Sequence, residues 1–298
     1  MTPFLGGARS HPALAPSCVR TQSPSVIRAA ITVSLVPQAQ GGPFVYWDGL
    51  EAAAASAARH GFDAIEIFAP SAASVDRPAL RALLQKHGLS VAAFGTGGGW
   101  LVHKWHLTHA DPAVRKQARE FIRAVVDLGA EFKAPAIIGS MQGRAEGEVS
   151  REQALGWLAE ALADLGAHAA RQGVCLLYEP LNRYETNLLC RQPEAARFLE
   201  ERGLSGNVRL LCDLFHMNIE EASPAETLRA CGPHVGHVHF ADSNRRAVGF
   251  GHTDPAPVVA ALKEIGYAGY LSAEVLPLPD SESAAARTIR TIRAHLPR

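Results

Sequence analysis

The sequence predicts a single-domain (β/α)8 barrel, and three observations carry that prediction. Short apolar, β-branched runs alternate with amphipathic stretches of helical spacing over almost the whole chain. No glycine-rich dinucleotide fingerprint follows the first run, as many open doubly wound sheets would show. Ionisable residues collect at the C-terminal ends of several different runs, the face on which a barrel of this kind builds its site.

The strand-like runs are, in order, AAITVSLV (29–36), DAIEIF (63–68), SVAAF (90–94), PAIIGS (135–140), VCLLYE (174–179), VRLLCD (208–213), VGHVHF (235–240) and YLSAEVL (270–276). Between them lie stretches such as LEAAAASAARHGF, PAVRKQAREFIRAVVDLGA and REQALGWLAEALADLGAHAARQG, with apolar residues at helical spacing and glycine near their ends. Asp111-Pro112, Ser150 and Ser223-Pro224 mark helix starts, each placing a polar side chain where it can cap the first turn. Eight strands and eight helices are expected over residues 28–298 as one catalytic domain. Residues 1–27, rich in Pro, Ser, Ala and Arg, are expected to be a disordered tail; they lack the apolar block of a secretory signal.

Composition narrows the partners. The 298 residues carry a formal net charge of +0, which leaves no broad basic face for nucleic acid or an anionic membrane. No apolar run reaches the length of a transmembrane helix. Cys18, Cys175, Cys190, Cys212 and Cys231 are odd in number and form no CxxC pair, which fits a reducing, cytoplasmic setting.

The last residues of the later strands form a pattern. The fifth run ends at Glu179 and the sixth at Asp213, with His216 three residues on; the seventh carries His237 and His239, and the eighth carries Glu274. His237 and His239 share one side of their strand, and His239 is nearer the C-terminal mouth. His237 is therefore read as a hydrogen-bonded core histidine and His239 as a ligand. In a closed barrel, Glu179, Asp213, His239 and Glu274 converge within reach of one cation. Three carboxylates and one imidazole make a hard, oxygen-rich set suited to Mn²⁺, Mg²⁺ or Co²⁺. Any one of them alone could be serving a local ion pair, but four at matching strand ends need a common cause, because unpaired buried charge is costly.

EPLNRYETNLL, CDLFHMNIEE, HVHFADSNRR and SAEVLP together resemble the xylose-isomerase-like sugar isomerase/epimerase superfamily of TIM barrels, and most closely its D-tagatose/D-psicose 3-epimerase branch. The resemblance is close over residues 174–277 and looser over the first half, where GSMQGR (139–144) agrees. It implies that Glu179 is a metal ligand and acid/base residue, and that Asp213, His239 and Glu274 complete the ligand set. Glu185 is then similar to the family's substrate-side carboxylate, and His216 and Arg245 match positions that hold substrate oxygens. The implied chemistry is a proton shift beside a ketose carbonyl, through an enediolate whose charge a divalent ion, Mn²⁺ first, spreads. Glu179 and Glu274 are the expected acid/base pair, one on each face of the substrate.

Departures from the family pattern leave the substrate open. Phe240-Ala241-Asp242 stands where the keto-sugar epimerases commonly show Thr-Gly-Glu, a change expected at the pocket floor. The first-strand region SLVPQAQGGPFVYW lacks the tyrosine-rich opening of the ketose epimerases. Aldose–ketose or hydroxypyruvate isomerisation and inosose-type dehydration run on the same groups. An apurinic-endonuclease-like phosphodiesterase and a non-catalytic sugar-binding barrel are the rivals from other classes. Three weaker candidates remain. His106 lies in WLVHKWHLTHADP (100–112), expected as a loop over the pocket, and Arg144 lies in GSMQGR. Glu66, expected at the mouth of the second strand, is either a carboxylate supporting a ligand or a structural one. GFGHTD (249–254) is a glycine loop before a helix, where a phosphate can sit. The substrate is thus a small sugar or sugar phosphate, and a homo-oligomer is compatible with the sequence.

Overall fold

The computed structural model describes residues 26–297, and the expected tail lies, up to residue 25, outside the described residues. The eight expected strands form β1 (Arg28–Ser34), β2 (Ala64–Phe68), β3 (Ser90–Gly95), β4 (Ala136–Ile138), β5 (Leu176–Tyr178), β6 (Val208–Asp213), β7 (Val235–His239) and β8 (Tyr270–Ala273). They close in chain order, every neighbour parallel and β8 pairing back onto β1. The protein is a closed TIM barrel.

The helices of the wall are α1 (Gly49–His60), α2 (Arg77–His87), α3 (Gly98–His103), α4 (Pro112–Glu131), α5 (Arg151–Arg171), α6 (Gln192–Glu201), α7 (Leu214–Glu220), α8 (Pro224–Ala230), α9 (Pro255–Glu264) and α10 (Ser281–His295). The described residues therefore hold ten α-helices where eight were expected, because two connections are split. After β3, the run GGWLVH forms α3, so the segment expected as an open loop begins as a helix over the barrel mouth. After β6, α7 turns over the mouth before α8 returns along the wall. The expected helix starts are observed, with Asp111, Ser150 and Ser223 accepting from the backbone N–H of Ala113, Gln153 and Glu226. No helix among the described residues is long and apolar enough to cross a membrane.

Side-chain alternation decides what each strand sends inward. Ala93, Ile137, Leu177 and Leu211 form one small apolar cluster and Ala30, Ala64, Ala92 and Tyr270 another. Residues of opposite parity, such as Tyr178, Cys212, Val238 and Phe240, join the large cluster shared with the helices. Phe240 is thus fully buried on the helix side of β7, so this departure from the family pattern does not reach the pocket floor.

Asp242 is also turned away from the cavity, and for a different reason. Its Oδ1 accepts from the backbone N–H of Ser243 (2.7 Å) and Thr253 (2.9 Å), and its Oδ2 from Gly249 (2.7 Å) and Gly251 (2.8 Å). The donors of the GFGHTD loop that an external phosphate needs are therefore spent on an internal carboxylate. Burial pushes the Asp242 carboxyl up, but these backbone donors outweigh it and hold the group below the usual range.

Asp242→Ala should destabilise the protein by about 3 kcal/mol in urea unfolding at neutral pH, since it strands several backbone donors at once. A depressed carboxyl stabilises above its unfolded pKa, and that gain is lost as pH falls through the folded value. The gap between wild type and variant should therefore narrow on acidification; a gap independent of pH would tell against this role.

Candidate metal centre and substrate cavity

Glu179 and Glu274 stand one residue past the ends of β5 and β8, while Asp213 and His239 are the last residues of β6 and β7. Asp213 and His239 are register partners, which sets them side by side. The four residues bring one ligand atom each to within 4.8 Å of one another, and all four are buried. His239 Nδ1 lies 3.5 Å from Glu179 Oε1, 3.4 Å from Asp213 Oδ2 and 3.3 Å from Glu274 Oε2.

Three of these atoms, Glu179 Oε1, Asp213 Oδ2 and His239 Nδ1, are buried without any hydrogen-bond partner. Orphaned polar atoms are rare in protein interiors, and here three face one point. Two of the remaining atoms are committed elsewhere: Asp213 Oδ1 caps α7 by accepting from Phe215 N at 2.8 Å, and His239 Nε2 faces Glu66. The donor set and its orphaned atoms fit one divalent cation.

His239 is aimed from behind. Its Nε2 lies 2.9 Å from Glu66 Oε1, and the other oxygen of Glu66 lies 2.7 Å from His237 Nε2. One carboxylate thus spans both histidines, so that Nδ1 of His239 is the atom left facing the cluster. Glu66 was expected at the mouth, but it sits in the middle of β2, and the residue two further along that face, Phe68, reaches the cavity. His237 is the hydrogen-bonded core histidine that its depth on β7 suggested.

Electrostatics follow from this crowding. Burial lifts the Glu179 carboxyl above its usual range. Burial acts the same way on Asp213, but Arg245 and His216 outweigh it and hold that carboxyl low. For His239, burial alone would disfavour the charged ring, yet the surrounding carboxylates of Glu274, Glu66, Asp213 and Glu179 hold its imidazole above the usual range.

The loops supply the rest. Arg245, in the loop after β7, donates through Nη2 to Glu274 Oε2 and lies 3.4 Å from Asp213 Oδ2. Its backbone is held at φ 57, a left-handed conformation costly for a side chain of this size. Its N–H donates to Asp242 O, and its carbonyl accepts from Leu276 N, each at 2.8 Å. His216, on α7, has Nε2 3.8 Å from Glu179 Oε1 and 3.3 Å from Arg245 Nη1. Glu185 reaches the cavity from the loop after β5.

Two residues without an assigned role prove central. Asn182 Nδ2 lies 2.8 Å from His216 Nδ1 and donates to Glu185 Oε1 at 3.0 Å, so one amide orients both. Gln142, fully buried, donates to the carbonyls of Glu179 (2.9 Å) and Gly139 (3.0 Å) and accepts from the Tyr178 hydroxyl (2.7 Å). It pins the backbone at the strand end where Glu179 emerges. Gly139 is needed there, because a Cβ would collide with Glu179 Oε2. Both side chains lie in stretches that stood out in the sequence, LNRYE and GSMQGR, but amides carry no charge pattern to mark them.

A cavity of about 340 Å³ opens above the cluster. Glu179, Glu274, His216, Arg245 and Glu185 line it, together with an apolar wall of Phe44, Phe68, Trp100 and Leu101. His106 and Arg144 do not line this cavity; they face a neighbouring one. His106, expected on a loop over the pocket, is buried beside it, because the chain after α3 folds down against the β4 connection.

Comparison with known proteins agrees with this architecture. The description of the xylose isomerase-like TIM barrel family matches residues 54–295. The L-ribulose 3-epimerase of Methylomonas sp. (strain DH-1) is 34% identical, over 78% of this chain and 83% of its own. The D-psicose 3-epimerase of Agrobacterium fabrum is 30% identical, over 71% of this chain and 74% of its own. The crystal structure of a D-allulose 3-epimerase from Methylomonas sp. in complex with D-allulose superposes with a TM-score of 0.73 at 26% identity, covering 91% of this chain and 99% of that one.

Two outcomes follow from the geometry. If His239 gives up a proton to ligate a metal, Mn²⁺ binding releases protons and weakens as pH falls; calorimetric titration in buffers of different ionisation enthalpy reads this directly. A titration with no proton release would count against His239 Nδ1 as a ligand. Glu66→Gln, which weakens the carboxylate behind the imidazole, should raise the Mn²⁺ dissociation constant about 10–100-fold.

Proposed function

The chain belongs to the xylose isomerase-like TIM barrel family, and on that premise we propose that it is a divalent-metal-dependent ketose epimerase. The observation that carries this reading is the pair Glu179 and Glu274, two buried carboxylates that line one cavity from strand ends on either side of Asp213 and His239. Glu179, Asp213, His239 and Glu274 would hold the cation, Mn²⁺ first by their hard donors. When bound, the ion supplies positive charge that lowers the cost of the oxyanion formed as a proton leaves the carbon beside a carbonyl.

The chain's own groups account for the rest of the reaction. Glu179 and Glu274 are the acid/base pair: one takes the proton from the carbon, and the other returns a proton on the opposite face, which inverts the centre. Burial raises the Glu179 carboxyl, which strengthens it as a proton acceptor. Arg245 and His216 direct donors toward the substrate oxygens, and the Arg245 charge favours an oxyanion there. Glu185, fixed by Asn182, accepts from a substrate hydroxyl at the edge of the cavity. The wall of Phe44, Phe68, Trp100 and Leu101 covers the carbon face of the sugar and keeps water from the site.

Phosphodiester hydrolysis on several metals finds no comparable support. Among the described residues the other ligand-like trio, Glu66, His237 and His239, is closed on itself by hydrogen bonds of 2.7 and 2.9 Å.

A Mn²⁺-supplemented screen of free ketoses in D₂O should place deuterium at the carbon beside the carbonyl, and removing the metal with a chelator should abolish it. Glu274→Gln, checked to retain metal, should lower kcat about 10²–10⁴-fold. Full turnover by that variant would sink the assignment of the pair.

A further inference from the structure

Beside the main cavity lies a second of about 250 Å³, lined by Trp100, His106, Ser140, Gly143, Arg144, Glu146, Leu181 and Glu185. Trp100, Ser140, Leu181 and Glu185 line both, so the two chambers adjoin along one edge of the reaction site. A single ketose held over the metal cluster leaves the second chamber to whatever is attached to it. We propose that this chamber is a subsite for a second, uncharged hydroxylated ring, and that the preferred substrate is a ketose carrying a glycosyl substituent.

The hydrogen-bonding capacity of the lining selects that chemistry. His106 is buried, and its Nδ1 lies 3.3 Å from Thr108 Oγ1. The Thr108 hydroxyl has one proton, and it faces the carbonyls of Gln142 (3.0 Å) and Arg144 (3.1 Å). Nδ1 of His106 therefore carries the ring hydrogen, and Nε2 is a bare acceptor. The nearest charged group to Nε2 is Glu146 Oε1 at 3.8 Å, another acceptor and beyond hydrogen-bond length. Burial and the nearby His109 hold this imidazole down at about 4, so it stays neutral at pH 7 and keeps that acceptor.

Glu146 and Glu185 add two carboxylates, against which Arg144 is the one cation of the lining. The charged side chains of the lining are thus net negative, with donors on Arg144, Ser140 and Trp100 and acceptors on Glu146, Glu185 and His106. A phosphate brings acceptors and negative charge and is badly matched; a sugar ring brings several hydroxyl donors and no charge. The Trp100 ring and Leu181 offer apolar surface at the junction for the carbon faces of such rings. The spent donors of the 249–253 loop point the same way, since the one loop expected to take a phosphate is filled by Asp242.

This inference rests on the epimerase reading, and one experiment separates the two. Mn²⁺-loaded full-length protein is given D-fructose, maltulose (4-O-glucosyl), isomaltulose (6-O-glucosyl) and D-fructose 6-phosphate, with Kd, KM and deuterium incorporation measured for each. At least one disaccharide should bind and turn over with Kd and KM about tenfold below those of D-fructose. Arg144→Ala and Glu146→Ala, both at exposed positions where folding is not at stake, should each cut the disaccharide-to-fructose ratio of kcat/KM about fivefold. Turnover of D-fructose with no disaccharide bound more tightly overturns the subsite and leaves the epimerase reading standing. So does a preference for D-fructose 6-phosphate, or a disaccharide preference that neither variant reduces. If no ketose exchanges deuterium, the epimerase reading falls, and the disaccharide Kd with its response to the two variants decides the subsite alone.

Discussion

The structure is organised around one electrostatic problem: three carboxylates and an imidazole brought together, out of water, at the mouth of a barrel. Uncompensated charge in such a place costs several kcal/mol per ion. The chain meets that cost from every direction. Glu66 takes the far nitrogen of His239, the first turn of α7 takes one oxygen of Asp213, and Arg245 donates to Glu274. What is left is the set of orphaned atoms facing a common point, which is what a cation would satisfy.

That constraint explains features that look unrelated along the chain. The left-handed backbone at Arg245 is tolerated because Asp242 and Leu276 hold the residue from both sides, and Asp242 is itself held by the loop it organises. Gly139 is without a side chain because Glu179 occupies the space. Gln142 spends its amide on two backbone carbonyls at the ends of β4 and β5, fixing the point from which Glu179 leaves the sheet. The positioning of the cluster thus extends well beyond the residues that face the cavity.

Much of the barrel was legible in the chain because burial on the two faces of a strand, and on one face of a helix, imposes periods that composition cannot hide. The split connections were less so. GGWLVH is too short and too glycine-rich to read as a helix, and α7 shares its residues with the strand-end motif that drew attention for its chemistry. Phe240 and Asp242 were expected at the pocket floor on likeness of position, but strand parity sends one into the helix layer and backbone donors hold the other. Glu66 was misplaced by one layer, a distance that a run of five buried residues cannot reveal.

By itself the sequence determined the barrel, the order of its strands and the ionisable residues at four consecutive strand ends, since each follows from local periodicity and position within a run. Only the tertiary structure decided which atoms of those residues are free and which are committed, because that depends on partners far away in the chain, such as Glu66 across 173 positions from His239. It also decided that His106 and Arg144 face a chamber of their own, since the walls of a cavity come from loops whose meeting no local pattern encodes.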